Sequence, residues 1–488
     1  MKLPVPLKMA TRGYQEAIAA LNSLQSNYAN IMAIRESGDR KNRMNIWEMQ
    51  EWSRRIGYNV SEFDKLNVVH ITGTKGKGST AAFVTSILGQ YKVPKIGLYT
   101  SPHLKSVTER IRINGNPISE DKFAKYFFEV WDRLENTESE VTRFPHMVPG
   151  SKPGYFKYLT LLSFHVFMQE GCDCCVYEVG VGGEFDSTNI IERPLACGIT
   201  QLGIDHTFIL GDTIEEIAWN KGGIFKKQTP AFTVKEQPLE GLRMLEKRAE
   251  ERGTKLEEVS IYRDLRGKKL GISGDFQIIN ASLAVALSSQ ALASMYFLPS
   301  PVSNAEDAAI PPRFLQGLEC TQWEGRCQIL VKGSTTWFID GAHTKESIEA
   351  ASSWFTQQVS NSQKKKILLF NQQSRDANAL LSNLYSKTNP RVQFDEVIFT
   401  TNVTWTSGSY SSDLVSMNTS KEQVDNLEVQ KSLAEKWITL DGKRSKIHVT
   451  SSIEAAHELI KQLGEPVNVF VTGSLHLVGG LFVVFDNM

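Results

Sequence analysis

Residues 71–80 have the sequence Ile71-Thr72-Gly73-Thr74-Lys75-Gly76-Lys77-Gly78-Ser79-Thr80. The apolar run 66–70 before this segment predicts a buried strand, and the run 81–88 after it predicts a helix. Glycines allow several backbone N–H groups to face one anion, and the N-terminus of a helix adds partial positive charge. A strand, a glycine-rich loop, a lysine and a helix in this order predict a site for nucleotide phosphates, to which Lys77 adds a full charge.

The loop departs from the general phosphate-loop pattern, which has four residues between its first glycine and a Gly-Lys pair that a hydroxyl residue follows directly. Here only Thr74 and Lys75 separate Gly73 from the Gly-Lys pair, and another glycine precedes Ser79. The alternative is a glycine-rich turn without a ligand. The strand and the helix on either side favour the phosphate site.

The size and charge of the chain limit its function. Its 488 residues are too many for one ordinary core and predict two or three domains. Lys and Arg together number 54, as do Asp and Glu, so the formal net charge is zero, which argues against broad nucleic-acid binding. No apolar run approaches the roughly 20 residues of a membrane span. No signal for self-association is evident, so a monomer is expected.

The six cysteines include the cluster Cys172-Asp173-Cys174-Cys175. Its spacing fits zinc sites poorly, whereas a buried strand would use these thiols as small apolar groups. We therefore expect structural, reduced cysteines and a reducing compartment, the cytoplasm. The short basic start of the chain leaves a mitochondrial form open.

Strand-like apolar runs alternate with helical patterns along the chain, which predicts an α/β fold with largely parallel sheets. The predicted strands are 68–72, 95–100, 174–179, 197–203, 328–331, 337–339, 366–370, 396–400 and 467–471. The predicted helices are 79–90, 120–134, 156–169, 214–219, 277–293, 345–357 and 453–462. Prolines around residues 299–312 predict a linker, which we place at 301–324, between a first domain with N-terminal helices at 1–300 and a second domain at 325–488. The polar segment 406–428 predicts a long surface excursion in the second domain.

Polar residues follow several predicted strands, where ligands of parallel sheets bind. Glu178 is a carboxylate beside glycines and is well placed to hold a hard cation such as Mg²⁺, and the Ser101 hydroxyl can ligate magnesium or hydrogen-bond a phosphate. His206 also follows a predicted strand. The alternatives are that Glu178 caps the next turn and that His206 is a hydrogen-bonded core residue. Lys221 lies just past a predicted short helix, where its alternative is a solvated lysine at a helix C-terminus.

The second half of the chain has two comparable motifs. Arg326 enters a predicted strand, and its planar guanidinium is suited to a nucleotide phosphate. The sequence Asp340-Gly341-Ala342-His343 ends the next strand, where Asp340 suits ribose hydroxyls or a bound lysine and metal. The alternative for Arg326 and Asp340 is a surface charge at a strand end.

Together these motifs resemble those of one family, the folylpolyglutamate synthases of the folate branch of the Mur ligase superfamily. The resemblance is carried by segments 73–80, 100–104, 178–183, 205–206, 221–224, 277–281, 325–326 and 340–343. Segments 14–25 and 155–160 resemble the eukaryotic type in particular.

The resemblance implies a large P-loop-type ATPase domain and a smaller Rossmann-like C-terminal α/β domain, with the active site between them. It implies ligation of L-glutamate to the γ-carboxylate of reduced folates and their polyglutamates through an acyl phosphate, with ATP converted to ADP and phosphate. Mg²⁺ is the implied cofactor, and a monovalent cation is left open as a second ion.

The resemblance also implies a role for each matching residue. The implied ATP-binding residues are Gly73, Thr74, Lys75, Gly76, Lys77, Gly78, Ser79, Gln277, Asn280, Arg326 and Asp340. The implied metal ligands are Ser101, Glu178 and His206, and the implied catalytic residues are Lys77, Lys221 and His343. Lys221 aligns with a lysine that several members carry as a carbamate. Lys75 and Thr344 depart from the pattern, because many relatives have Asn at both positions.

Three alternatives stay open at this stage. Dihydrofolate synthase, which adds the first glutamate to dihydropteroate, shares the ATP machinery and is disfavoured by the eukaryotic-type segments. A peptidoglycan Mur ligase is disfavoured by the folate-type motif 100–104. A non-catalytic nucleotide-dependent switch would need the phosphate loop but not Lys221, Arg326 and the motif 340–343 together.

Overall fold

The computed structural model of the chain describes residues 12–25, 39–373, 376–407 and 426–487. These residues form an eight-stranded sheet and a six-stranded sheet, both largely parallel and flanked by helices, which confirms the predicted α/β class. Most of the predicted surface excursion 406–428 lies outside the described residues. Within the described ranges, no helix combines the length and the apolar character that crossing a membrane requires.

The first sheet has the strand order β4-β3-β2-β5-β1-β6-β7-β8. Its strands are β1 (Val68–Thr72), β2 (Ile96–Tyr99), β3 (Ile111–Ile113), β4 (Asn116–Pro117), β5 (Cys174–Glu178), β6 (Ala196–Ile199), β7 (Ala231–Val234) and β8 (Leu256–Val259). The pairs β2–β3 and β3–β4 are antiparallel and the others are parallel. All five residues of β1 are buried, because this strand lies between β5 and β6.

The second sheet has the order β13-β12-β11-β14-β10-β9. Its strands are β9 (Gln328–Lys332), β10 (Thr335–Ile339), β11 (Lys365–Phe370), β12 (Glu396–Thr400), β13 (Lys446–Thr450) and β14 (Val467–Thr472). Only the hairpin of β9 and β10 pairs antiparallel among these strands. Parallel strands need crossover connections, which the helices between them provide.

The helices of the first half are α1 (Tyr14–Ser23), α2 (Asp39–Arg55), α3 (Lys77–Gln90), α4 (Glu120–Glu135), α5 (Tyr155–Glu170), α6 (Thr207–Leu210), α7 (Ile214–Gly222), α8 (Leu239–Arg252) and α9 (Gln277–Ser294). Those that follow are α10 (Pro312–Cys320), α11 (Lys345–Val359), α12 (Ala377–Thr388), α13 (Glu428–Asp441), α14 (Ile453–Gln462) and α15 (Leu475–Asp486). Every helix predicted from the sequence is present, with bounds that differ by a few residues.

Helix α3 follows the glycine-rich loop and is apolar on all sides, as expected of a helix buried between other elements. It packs against α10, where the Ser86 hydroxyl donates to the Gly317 carbonyl at 2.6 Å. A Cβ at Gly317 would lie 2.8 Å from the Ile87 Cα, so the two helices approach closely. Helix α10 lies within the predicted linker 301–324 and packs against α3, next to the first sheet. The boundaries of the two domains stay a prediction.

The cysteines have the predicted character. All six are free thiols, and all except Cys320 are buried. Cys174 and Cys175 lie in β5, and burial raises the pKa of the Cys174 thiol to about 12. These thiols therefore serve as small apolar groups of the core.

Candidate active site

A cavity of about 760 Å³ lies between the two sheets. All the residues that the sequence predicts for the site line it: Gly73, Thr74, Lys75, Gly76, Lys77, Gly78, Ser79, Ser101, Glu178, His206, Lys221, Gln277, Asn280, Arg326, Asp340 and His343. They come from both sheets, at the carboxyl ends of several strands and from the loops that follow, which is where open α/β sheets bind ligands. The structure therefore brings the whole predicted set together, whereas the individual roles stay predictions.

The glycine-rich loop joins β1 to α3, and two of its glycines lie very close to side chains of other elements. Gly76 precedes α3 with a φ of 90°, and a Cβ at this position would lie 2.1 Å from the side-chain oxygen of Asn280. A Cβ at Gly73 would lie 1.8 Å from the hydroxyl of Thr200. Only glycine fits both positions, so the loop's curvature depends on contacts with α9 and with the segment after β6.

Two lysine side-chain nitrogens donate to one backbone oxygen in this loop. The Gly73 carbonyl accepts a hydrogen bond from Lys77 Nζ at 3.1 Å and another from Lys221 Nζ at 2.8 Å. Lys221 lies inside α7 and is only 4% exposed, so the alternative of a solvated lysine past a helix is wrong. Burial lowers the pKa of Lys221 well below its usual value, and the positive charge of Lys77 lowers it further.

A third lysine, Lys75 of the loop, pairs with Asp205 in the segment after β6. Lys75 Nζ lies 3.4 Å from a carboxylate oxygen of Asp205, and burial lowers the pKa of Lys75 although Asp205 partly offsets the effect. The Thr74 hydroxyl donates to the Gly203 carbonyl at 3.0 Å. These contacts hold the glycine-rich loop to the segment that follows β6.

The predicted metal ligands line the same part of the cavity. Glu178 is the last residue of β5 and is buried, and its Oε2 accepts a hydrogen bond from the backbone N–H of Ser101 at 3.0 Å. Burial raises the pKa of Glu178, and the charge of Lys77 opposes that effect. His206 does not end a strand as predicted: β6 ends at Ile199, and His206 lies in the following loop with a φ of 52°.

The predicted metal ligands offer one carboxylate, one hydroxyl and one imidazole. In the described part of the chain, no three His, Cys, Asp or Glu side chains are grouped as a metal cluster. Mg²⁺ binds through one or two carboxylates and keeps several waters, so one carboxylate with a hydroxyl and an imidazole nearby is sufficient.

Side chains of α9 extend from its N-terminus to the phosphate loop. Gln277 Nε2 donates to the Ser79 hydroxyl at 3.3 Å, and Asn280 Nδ2 donates to the side-chain oxygen of Gln277 at 2.8 Å. All three residues are buried. The loop and α9 are thus linked through polar side chains at the place where the sequence predicts contacts with a nucleotide.

The second sheet contributes Arg326, Asp340 and His343. Asp340 accepts hydrogen bonds from the backbone N–H groups of Cys327 at 2.8 Å and Ala342 at 2.9 Å, and it is buried, so the alternative of a surface charge is wrong for it. Burial raises the pKa of Asp340, and Arg326 opposes that effect. His343 Nδ1 lies 2.9 Å from the Gly341 carbonyl, which orients the ring.

Some cavity residues were not singled out from the sequence. Asp186 is buried and accepts from the backbone N–H groups of Gly180 and Val181, both at 3.1 Å. Arg110 and Phe156 line the cavity as well, and Arg110 Nε donates to His103 Nδ1 at 2.9 Å. The glycines at 180–183 were the available signal, because a carboxylate a few residues beyond them is well placed to accept their N–H groups.

The protein has two largely parallel sheets and a cavity between them that contains a glycine-rich loop. This arrangement is typical of a class of nucleotide-binding enzymes. A relative named folylpolyglutamate synthase, from Saccharomyces cerevisiae strain YJM789, is 67% identical over 486 residues, which is 99% of this chain and 89% of the relative. The chain belongs to the folylpolyglutamate synthase family, as the motif resemblance indicated.

A family model of the C-terminal region and two solved structures agree with this assignment. The family model described as dihydrofolate synthetase, C-terminal domain, matches residues 325–484. The folylpolyglutamate synthase of Mycobacterium tuberculosis complexed with ADP has a TM-score of 0.69 at 20% identity, covering 96% of this chain and 99% of that chain. An FPGS–AMPPCP–folate complex has a TM-score of 0.66 at 20% identity, covering 96% of this chain and 98% of the other.

Proposed function

We propose that this chain is an ATP-dependent amide ligase that adds L-glutamate to the γ-carboxylate of reduced folates and their polyglutamates. ATP phosphorylates the folate carboxylate, the glutamate nitrogen attacks the resulting acyl phosphate, and phosphate leaves. The observation that carries the proposal is the single cavity in which the lysines around Gly73 face Arg326 of the second sheet. The 67% identity to a folylpolyglutamate synthase supports the same reaction.

The first step must bring two anions together. A carboxylate and a γ-phosphate about 4 Å apart repel by roughly 1 kcal/mol per charge pair in water and by about 4 kcal/mol at an effective dielectric constant of about 20. Lys77 and the N–H groups of the phosphate loop oppose this repulsion from a fixed position. Phosphoryl transfer depends mostly on such positioning and charge stabilisation, so the chain needs no covalent intermediate of its own.

Ser101, Glu178 and His206 would hold Mg²⁺, the ion that this donor set fits. When bound, Mg²⁺ supplies positive charge to the phosphates and orients them. The hydrogen bond from the Ser101 N–H orients the Glu178 carboxylate, and both of its oxygens lie within 4 Å of the position that a Cβ would take at Gly78 in the phosphate loop.

The second sheet completes the site. Asp340 accepts hydrogen bonds from the backbone N–H groups of Cys327 and Ala342. These bonds fix the neighbouring residues Arg326 and His343. Arg326 is placed to contact the phosphates, and Asp340 and the surrounding strand ends enclose the cavity against water. Excluding water matters because water competes with glutamate for the acyl phosphate.

Lys221 suits the carbamate that the family resemblance implies. Carbamate formation with CO₂ requires a neutral amine, and the lowered pKa of this buried lysine favours that form. A carbamate there would place a negative charge beside Lys77 and the metal ligands. Mass spectrometry of the intact chain prepared at constant bicarbonate is the measurement that tests it.

Dihydrofolate synthase is the alternative, since the matching family model of the C-terminal region carries that description. The decisive experiment incubates the purified chain with ATP, Mg²⁺ and L-glutamate, together with either tetrahydrofolate or dihydropteroate, and identifies the products by mass spectrometry. We expect tetrahydrofolate to gain glutamates and ADP release to require both substrates. Glutamate incorporation onto dihydropteroate alone would establish the alternative, and ADP release indifferent to both acceptors would indicate a switch.

The free thiols support a reducing compartment, which we propose is the cytoplasm. ATP, reduced folates and L-glutamate are the proposed partners, acting on a monomer. Cell fractionation of a tagged full-length chain tests the compartment, and sedimentation of the purified chain tests the oligomeric state.

A further inference from the structure

Residues 100–106 leave β2 and contact both sheets; we name them the bridging loop. At its beginning, the loop forms part of the cavity, where the Ser101 N–H donates to Glu178. Its later residues leave the cavity and reach the second sheet. The loop is therefore the place where the metal-binding side of the site meets the unit that carries Arg326.

Leu104 lies among the side chains of the second sheet. It is only 7% exposed and belongs to the apolar cluster formed by β10, β11, β12, β14, α14 and α15. A Cβ on Gly325 would lie 3.2 Å from Leu104 Cδ2 and 3.1 Å from Val478 Cγ1, so these two side chains contact the chain directly before Arg326. Among the described residues, Leu104 is the member of that cluster that comes from the first sheet's side.

Lys105 adds ion pairs to the apolar contact. Its Nζ lies 3.1 Å from Asp486 Oδ2, at the end of α15, and 3.5 Å from Glu324 Oε2. The ammonium also lies 5.7 Å from the centre of the Phe482 ring. The lysine thus contacts both the last helix and the segment that leads into β9.

The bridging loop is held in shape by a buried carboxylate. Glu109 accepts hydrogen bonds from three consecutive backbone N–H groups, those of Leu104 at 3.0 Å, Lys105 at 2.9 Å and Ser106 at 3.0 Å. Arg112 lies 3.7 Å from the same carboxylate. Glu109 therefore fixes the conformation of the loop at the residues that contact the second sheet.

We propose that Leu104 and Lys105 are positioning residues that set the distance between Arg326 and the phosphate loop. Their contacts with Gly325 and Asp486 hold the second sheet, while Glu109 holds residues 104–106 of the same loop and the Ser101 N–H ties its beginning to Glu178. Neither side chain lines the described cavity between the two sheets. The kinetic part of the proposal rests on the proposed ligase function, and the structural part does not.

The test reverses the charges of the ion pair in the full-length chain. The variants are Lys105→Glu, Asp486→Lys and the combination of both. We expect each single variant to lower kcat/KM for ATP by about tenfold, the scale of a lost ion pair and the repulsion that replaces it. The double variant should recover part of the lost kcat/KM, since opposite charges again face each other at positions 105 and 486 while Glu324 still repels the new carboxylate at position 105. Lys105→Met, which removes charge without repulsion, should show a smaller loss.

The matched control is the ion pair of Lys365 with Glu465, which lies within the second sheet's unit at 2.5 Å and does not join the two sheets. Lys365→Glu should leave kcat/KM for ATP near the wild-type value. Melting followed by circular dichroism confirms that all variants are folded. A loss in the control equal to that in Lys105→Glu would overturn the proposal, as would single variants with wild-type kinetics or a double variant without recovery.

Small-angle X-ray scattering of the ligand-free chain separates this inference from the proposed function. We expect a larger radius of gyration for Lys105→Glu and a value closer to wild type for the double variant, whether or not the chain ligates glutamate. An inactive wild type with this scattering pattern would refute the function and support the positioning role. An active wild type whose scattering is unchanged in every variant would refute the positioning role alone.

Discussion

Replacing Gly76 by alanine tests whether the phosphate loop is shaped by its contact with α9. Gly76 has a φ of 90°, and the new Cβ would lie 2.1 Å from Asn280 Oδ1 and 2.7 Å from its Cγ. No heavy atoms approach that closely, so Asn280 must move. Its hydrogen bond to Gln277, 2.8 Å long, would then be lost in a buried setting.

The expected free-energy change has two parts. A residue with a Cβ in the left-handed region costs about 1–2 kcal/mol. Loss of the hydrogen bond between Asn280 and Gln277 leaves buried polar groups unsatisfied, which costs about 1–3 kcal/mol more. We therefore expect Gly76→Ala to lower the free energy of unfolding by about 2–5 kcal/mol.

Gly115→Ala is the matched control, because Gly115 has a φ of 82° and a Cβ there would meet nothing within 4 Å. Both glycines belong to the first sheet's unit, so urea denaturation reports on the same transition. The control should lose only the backbone part, about 1–2 kcal/mol. Nucleotide affinity, measured by calorimetry with AMPPCP, should fall in Gly76→Ala and not in Gly115→Ala. Equal losses of stability and unchanged affinity in the two variants would refute the reasoning.

Three further predictions concern charge. Lys77→Ala should lower turnover by roughly 10³-fold or more, measured as folate-dependent ADP release, and a variant that keeps most of the activity would contradict the role of Lys77. Glu178→Gln should raise the Mg²⁺ concentration needed for half-maximal rate and lower kcat by about 10²-fold; an unchanged Mg²⁺ titration would remove Glu178 from the metal site. Burial lowers the pKa of His70 to about 3, so the unfolded chain takes up a proton near pH 6.5 that the folded chain does not. Stability should fall by about 2 kcal/mol between pH 7 and pH 5, and His70→Gln should show a loss smaller by that amount in urea denaturation.

The sequence predicted the buried elements of the fold better than the exposed ones. Strand β1 and helix α3 were found because uninterrupted apolar residues meet glycines at a clear boundary. Strand β13 was missed because it lies at the edge of its sheet and alternates between polar and apolar residues without an apolar run. Helix α8 was missed because it is mostly exposed and rich in charges. Helix α15 is apolar throughout, so it shows too little periodicity to distinguish it from a strand.

The site shows a different limit. The glycine-rich loop was predicted because its residues are consecutive, and one segment contains the whole motif. The burial of Lys221 could not be predicted, because it arises when α7 packs against Gly73, which is 148 positions away in the chain. Asp186 was missed for a related reason: its partners are mainly backbone N–H groups, and the glycines at 180–183 do not by themselves show which carboxylate accepts from them. The sequence motifs thus located the site, whereas the burial of Lys221 and the backbone partners of Asp186 became evident only from the packing.

The charge state of the lysines explains what the cavity is prepared to bind. Lys75 and Lys221 both have a lowered pKa, because burial disfavours their charged forms and Lys77 repels them. For Lys221 the neutral form agrees with the proposed carbamate, so Lys75 is the residue whose charge responds to the ligand. A triphosphate placed at the loop would raise the pKa of Lys75, since opposite charge favours the ammonium form. The Lys75 ammonium, which is costly to bury in the empty cavity, therefore becomes favourable when nucleotide binds, which concentrates binding energy on the phosphates.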